Sequence, residues 1–157
     1  MERKDRVVTF PWMGQKYPML LKESLESMGL NVQLPPKTTE RTIKLGVKHS
    51  AEMFCFPYKV TLGNFIEALE NGANTLFMYD NRGECRLRHY YKIHEFTLRN
   101  LGYEFEMYGV SFKNMIGILR KLTGKSFLEI GTQFYKFLCD PLIQFFNIDS
   151  KNSNLFK

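Results

Sequence analysis

A small doubly wound α/β fold, a parallel sheet covered by helices on both faces, is what these 157 residues predict. Three observations carry that expectation. Short apolar runs of strand length alternate with helix-length segments from residue 7 to residue 108, as in a parallel sheet joined by crossover helices. A glycine (Gly29, Gly72, Gly102) stands in the link ahead of three of the strands, where a helix ends and the chain must turn. After Val110 the alternation stops and the pattern is helical. The expected organisation is a flavodoxin-like or Rossmann-like half over residues 1–110, a helical C-terminal extension over 111–148 and a frayed tail over 149–157.

Each element has its own signal. Val7 to Phe10 reads as a short buried strand, and Pro11-Trp12-Met13-Gly14 as a turn. Apolar residues at 17, 20, 21, 25 and 28 have helical spacing, with Gly29 as terminator. Asn31 to Leu34 reads as a second strand, stopped by Pro35-Pro36. Thr38 or Thr39 caps a helix to about Lys48, without a full capping box and with Ile43, Leu45 and Val47 as its apolar face. Residues 50–56 connect to a helix over Tyr58 to Leu69, opened by Pro57 at its first position and ended by Asn71-Gly72. Thr75 to Tyr79 is the third strand, residues 80–84 a loop, Arg86 to Leu101 a helix, and Tyr103 to Tyr108 the fourth strand. Two further helices are expected over 112–122 and 127–146.

The composition is that of a globular chain, 44% hydrophobic and 24% charged. No run of 18 apolar residues is present, and the charged start Met-Glu-Arg-Lys-Asp-Arg has no apolar signal core, so a cytoplasmic protein with no membrane role is expected. The net charge of +6 invites the thought of nucleic acid. The cations are dispersed along the chain, with Arg86, Arg88 and Lys92 the densest group, and nucleic-acid binding is not the expectation.

The chemistry lies in two of the three cysteines. An odd count in a cytosolic chain favours thiols or metal ligation over a disulfide framework. Cys55, in Met53-Phe-Cys-Phe-Pro-Tyr-Lys59, precedes a helix start whose positive end favours a thiolate, and Lys59 adds charge one turn in. Cys85 follows the loop Asn81-Arg-Gly-Glu84 at the end of the third strand, where open α/β sheets bind ligands, and is followed by Arg86. Each has a plainer reading beside the functional one, Cys55 as a small buried hydrophobe and Cys85 as a structural residue at a helix start. Cys139, in Phe137-Leu-Cys-Asp-Pro141, reads as core packing. His49, His89 and His94 lack metal-ligand spacing, and His89 reads as a solvated helix residue near Cys85. Thr123-Gly-Lys-Ser126 has the end of a phosphate loop but neither its first glycine nor a preceding strand, so no nucleotide site is assigned there.

Several of these stretches together resemble a known family. They are Thr9-Phe-Pro-Trp-Met-Gly14, the segment Leu34 to Gly46, the segment Ser50 to Ala68 around Cys55, and Gly83-Glu-Cys-Arg86 followed by Tyr90-Tyr91. They are similar to the CoA protein activase proteins, grouped with the 2-hydroxyacyl-CoA dehydratase iron–sulfur subunits and the activase-related, double-cubane-type proteins. The resemblance covers about residues 7–110. It implies a [4Fe–4S] cluster held by cysteines at sheet-edge loops and anaerobic electron transfer, with an ATP-dependent activator as electron donor. Cys55 and Cys85 match the family's cysteines, while Arg82 stands where relatives often carry a further one. Two cysteines do not make the usual four-cysteine site. The cluster is therefore shared with a partner, bridged between two copies, completed by another ligand type, or lost.

The expected function is an iron–sulfur electron-transfer component acting with a homologous or activator subunit or as a homo-oligomer. Cys55 and Cys85 would be the ligands, and Lys59, Arg82 and Arg86 the surrounding positive charge. The alternative is a cluster-free interaction or scaffold module that docks through Phe127, Phe134, Phe137, Phe145 and Phe146. A third reading is a phosphate or nucleotide binder using the basic loop at 82–88.

Overall fold

The computed structural model describes residues 5–14, 16–80, 89–133 and 135. The chain runs β1 (Val7–Thr9), α1 (Lys16–Ser27), β2 (Asn31–Val32), α2 (Glu40–Lys48), α3 (Phe56–Glu70), β3 (Thr75–Tyr79), α4 (Tyr90–Asn100), β4 (Glu106–Val110) and α5 (Met115–Thr123). A further helical segment begins at residue 127. The four strands form one parallel sheet in the order β2-β1-β3-β4. The chain builds β2 on one side of β1 and then crosses to build β3 on the other. This is the flavodoxin-like order rather than that of a Rossmann half, and its switch point lies between β1 and β3.

Alternation along β3 sends side chains to two separate cores, as a sheet buried on both faces requires. Phe77 joins Val8, Leu25, Met28, Leu119, Leu122 and Ile130 under α1 and α5. Leu76 and Met78 join Tyr58, Leu62, Phe65, Ile66, Tyr90 and Leu98 under α3 and α4. Leu119, Leu122 and Ile130, all beyond residue 110, thus share a core with the first strand.

Local chemistry accounts for the boundaries. Gly29, Gly72 and Gly102 adopt positive φ near 90° at the ends of α1, α3 and α4, a backbone region where a Cβ is strained. The fourth strand starts at Glu106 rather than Tyr103, because the Tyr103 amide still donates to the Leu98 carbonyl of α4 and pairing opens at Glu106 beside Thr75. The last labelled helix, α5, starts at Met115 rather than Phe112. Asn114 Oδ1 accepts from the Ser111 amide and holds residues 111–114 as a turn.

Two expectations about α2 are corrected. Its N-terminus does carry a capping box. The Thr42 amide donates to Thr39 Oγ1 and the Thr39 amide donates to Thr42 Oγ1, a threonine doing at the third position what a Glu or Gln does elsewhere. Its fully buried residues are Thr42 and Gly46, while of the expected apolar face Leu45 packs partly buried against the core, Ile43 is half-buried and Val47 is exposed. A Cβ on Gly46 would lie 1.7 Å from the Lys59 carbonyl oxygen, and one on Gly63 of α3 would lie 1.9 Å from the Thr42 carbonyl oxygen. The two helices therefore touch backbone to backbone at two places. Thr42 Oγ1 also donates to the buried Glu67 carboxylate of α3 at 2.7 Å. Gly124 of the rejected phosphate loop is the left-handed cap of α5, and Lys125 Nζ donates to the Ser27 carbonyl.

Among the described residues no helix is long and apolar enough to cross a membrane. The expected helix start at Arg86, the helix over 134–146 except Tyr135, and the tail 149–157 lie outside the described residues.

Candidate functional site

The C-terminal edge of the sheet brings together the starts of two helices. Helix α3 leads through Gly72 into β3 within five residues, so its N-terminus stands above the strand ends. Helix α4 is the next element after β3 and runs back to feed the parallel strand β4, so it begins at the same edge. Both helices direct the positive ends of their dipoles there.

Cys55 is the N-cap residue of α3, with extended backbone (φ −67°, ψ 156°), and its carbonyl accepts from the Tyr58 amide at 3.1 Å. Pro57 occupies the second helical position, where no amide proton is needed, rather than the first. The cysteine is exposed, which sets aside the buried-hydrophobe reading. Its sulfur is hydrogen-bonded to the hydroxyl of Tyr90, the first residue of α4.

Beneath this pair lies a ladder of rings. The Tyr58 ring stacks on both Phe54 and His94, each with centroids 4.4 Å apart, and meets Tyr90 edge-on at 5.1 Å. Its hydroxyl pairs with Thr97 Oγ1 at 3.0 Å, and burial raises its pKa against the opposing effect of that bond. His94 is wholly buried, and burial alone holds its pKa at about 3, so the ring is neutral. Its Nε2 lies 2.9 Å from Thr61 Oγ1, which itself donates to the carbonyls of Pro57 and Tyr58. The hydroxyl has one proton and gives it to the backbone. His94 therefore carries its own proton on Nε2 and donates it to Thr61, leaving Nδ1 buried with no described partner.

The predicted site residues divide into two groups. Cys55 and Lys59 are described. Lys59 Nζ donates to the Glu52 carbonyl at 3.3 Å and so ties down the turn that leads to Cys55. Arg82, Cys85, Arg86 and Cys139 lie outside the described residues. His89 is exposed, as expected of a solvated helix end, while Trp12 is half-buried and Met13 exposed after β1.

Tyr58, Thr61, Tyr90 and His94 are what sequence reasoning missed. A usable signal was present in α4. Tyr90, His94 and Leu98 follow one another at intervals of four, the spacing of a buried helix face, and the structure buries all three.

A thiolate at two helix N-termini is a soft ligand suited to iron in a sulfide cluster. Cys55 fits as one such ligand. Among the described residues no group of three or more His, Cys, Asp or Glu could hold a metal ion, so a cluster at Cys55 would need ligands from outside those residues.

Residues 12–84 match the family described as the CoA enzyme activase uncharacterised domain. The match takes in just under half of the chain, includes Cys55, Lys59 and Arg82, and stops one residue short of Cys85. No curated protein and no solved structure matches the chain.

Proposed function

We propose that the protein is a cytoplasmic iron–sulfur electron-transfer component of anaerobic CoA-linked chemistry, a reading supported by the match of residues 12–84 to the CoA enzyme activase uncharacterised domain. Cys55 and Cys85 serve as thiolate ligands, and a homologous or activator subunit, or a second copy of the chain, completes the site. The observation that carries this proposal is the exposed Cys55 sulfur at the joint of two helix N-termini, inside the matched segment. Chain continuity supports the pairing with Cys85. Cys85 falls in the sequence between Asp80, at the end of β3, and His89, and the residue after His89, Tyr90, already touches Cys55.

When bound, a [4Fe–4S] cluster supplies one-electron transfer, taking an electron from a low-potential donor protein and passing it to an acceptor subunit. The residues of this chain have more limited tasks. Cys55 presents its sulfur from a fixed helix cap, and the α3 and α4 dipoles offset negative charge placed there. Lys59 holds the preceding turn through Glu52. Arg82 and Arg86 add positive charge on either side of Cys85 in the sequence.

The test is purification without oxygen, reconstitution, and measurement of iron, acid-labile sulfide and the visible spectrum for the parent and for Cys55→Ser. Iron and sulfide in equal, stoichiometric amounts, with a broad absorption band lost in Cys55→Ser, are expected. A parent chain that takes up no stoichiometric iron, alone or with its partner subunit, overturns the proposal. It would leave the cluster-free docking module, a reading favoured by the exposed Phe112, Phe127 and Leu128.

A further inference from the structure

We infer that Tyr90 is a positioning residue for Cys55, its phenol donating a hydrogen bond to the cysteine sulfur from a ring locked in the core. Tyr90 is 2% exposed, whereas the sulfur it reaches belongs to an exposed residue. Among the described residues, two ring contacts brace the tyrosine ring. Tyr58 meets it edge-on with planes at 81°, and His94 meets it at 71° with centroids 6.0 Å apart. Tyr58 and His94 are themselves stacked and hydrogen-bonded to Thr97 and Thr61. The hydroxyl therefore has little freedom, and its position is set by α3 and α4 together.

The direction of the bond follows from chemistry. A thiolate or a metal-bound sulfur can only accept, and a phenol is the weaker acid of the two, so the proton stays on oxygen. A hydrogen bond to a ligand sulfur withdraws charge from it, one of the ways a protein sets a cluster's reduction potential. Its use in electron transfer rests on the function proposed above, but the bond itself does not.

The test separates the two. In iron-free protein carrying Cys85→Ser and Cys139→Ser, Cys55 is the remaining thiol, and its alkylation by iodoacetamide is followed at pH 7. Tyr90→Phe keeps the ring and removes the donor. A charge-assisted bond shifts thiol ionisation by about tenfold, partly offset by the greater nucleophilicity of a bare thiolate, so alkylation is expected to slow about threefold. Tyr58→Phe removes a hydroxyl from the same ladder that does not touch Cys55, and is expected to leave the rate unchanged. A Tyr90→Phe rate equal to or above the parent's, or equal slowing by both variants, overturns the inference. Absence of iron in the wild type would sink the cluster and leave this bond standing. An unchanged alkylation rate would do the reverse.

Discussion

On one face of the sheet, Val8 and Phe77 meet Leu25, Met28, Leu119, Leu122 and Ile130, a largely aliphatic cluster. On the other, Leu76 and Met78 meet Tyr58 and Tyr90, with the imidazole of His94 stacked among them and Asn64, Glu67 and Thr42 buried nearby. Both faces bury enough apolar surface to hold a helical layer. The difference lies in polar atoms. The first face can repack within a hydrophobic volume, whereas repacking the second must also preserve the hydrogen bonds of Tyr58 to Thr97, His94 to Thr61 and Thr42 to Glu67. Cys55 sits at the rim of the second, and the precision of that face reaches its sulfur through Tyr90.

The contrast can be broken most forcefully by truncation on each face. Phe65→Ala is expected to cost about 4 kcal/mol and Leu119→Ala about 3 kcal/mol, read from denaturant midpoints. The Phe65 ring braces His94 edge-on at 5.3 Å, so the first variant should also speed amide exchange through α4. The second should leave α4 as in the parent. An equal response of α4 to both would remove the distinction between the faces.

Acid probes the second face through His94. His94 has its folded pKa depressed from 6.5 to about 3. Below pH 6.5 the unfolded chain takes up a proton that the folded chain refuses, so this contribution is complete above pH 6.5 and is lost as pH falls toward 3. At pH 4 the loss is about 3 kcal/mol. His94→Phe should flatten that part of the stability curve, and an unaltered slope would show that another group is responsible.

The smallest expected effect belongs to the polar fringe of the hydrocarbon face. Tyr108 Oη donates to Glu106 at 2.6 Å, and Arg6 reaches the same carboxylate at 3.0 Å. The Tyr108 bond and then Arg6 hold the Glu106 pKa down, while burial first and the Glu106 bond second push Tyr108 up to about 12. Tyr108→Phe should cost about 1 kcal/mol at neutral pH. Below the ordinary carboxylate range the difference should shrink, since a depressed carboxylate contributes stability that disappears as it is protonated.

The strands and helix ends were largely legible because their signals are local. Thr75 to Tyr79 is an apolar run closed by Gly72 and Asp80, and the structure keeps those bounds. The face of α2 was misread for a physical reason. Hydrophobic periodicity counts large apolar residues, while here the contact is made by the absence of side chains at Gly46 and Gly63. His94 escaped notice because a histidine was weighed for metal spacing rather than for its place between Tyr90 and Leu98. Cys55 was found from its helix cap, but its partner Tyr90 lies 35 residues away, beyond the reach of any local pattern.

The double glycine contact has a consequence for how this protein tolerates change. With backbone against backbone, no rotamer lets α2 slide along α3, and the turn that ends in Cys55 is clamped at both of its roots. Apolar residues around the turn can be exchanged for others of similar volume without moving the backbone at Cys55, because main-chain contacts set the path of the chain there. Substitutions at Gly46 and Gly63 have no such latitude. Sequence drift in this half of the molecule is thereby channelled away from two small residues that carry no chemistry of their own.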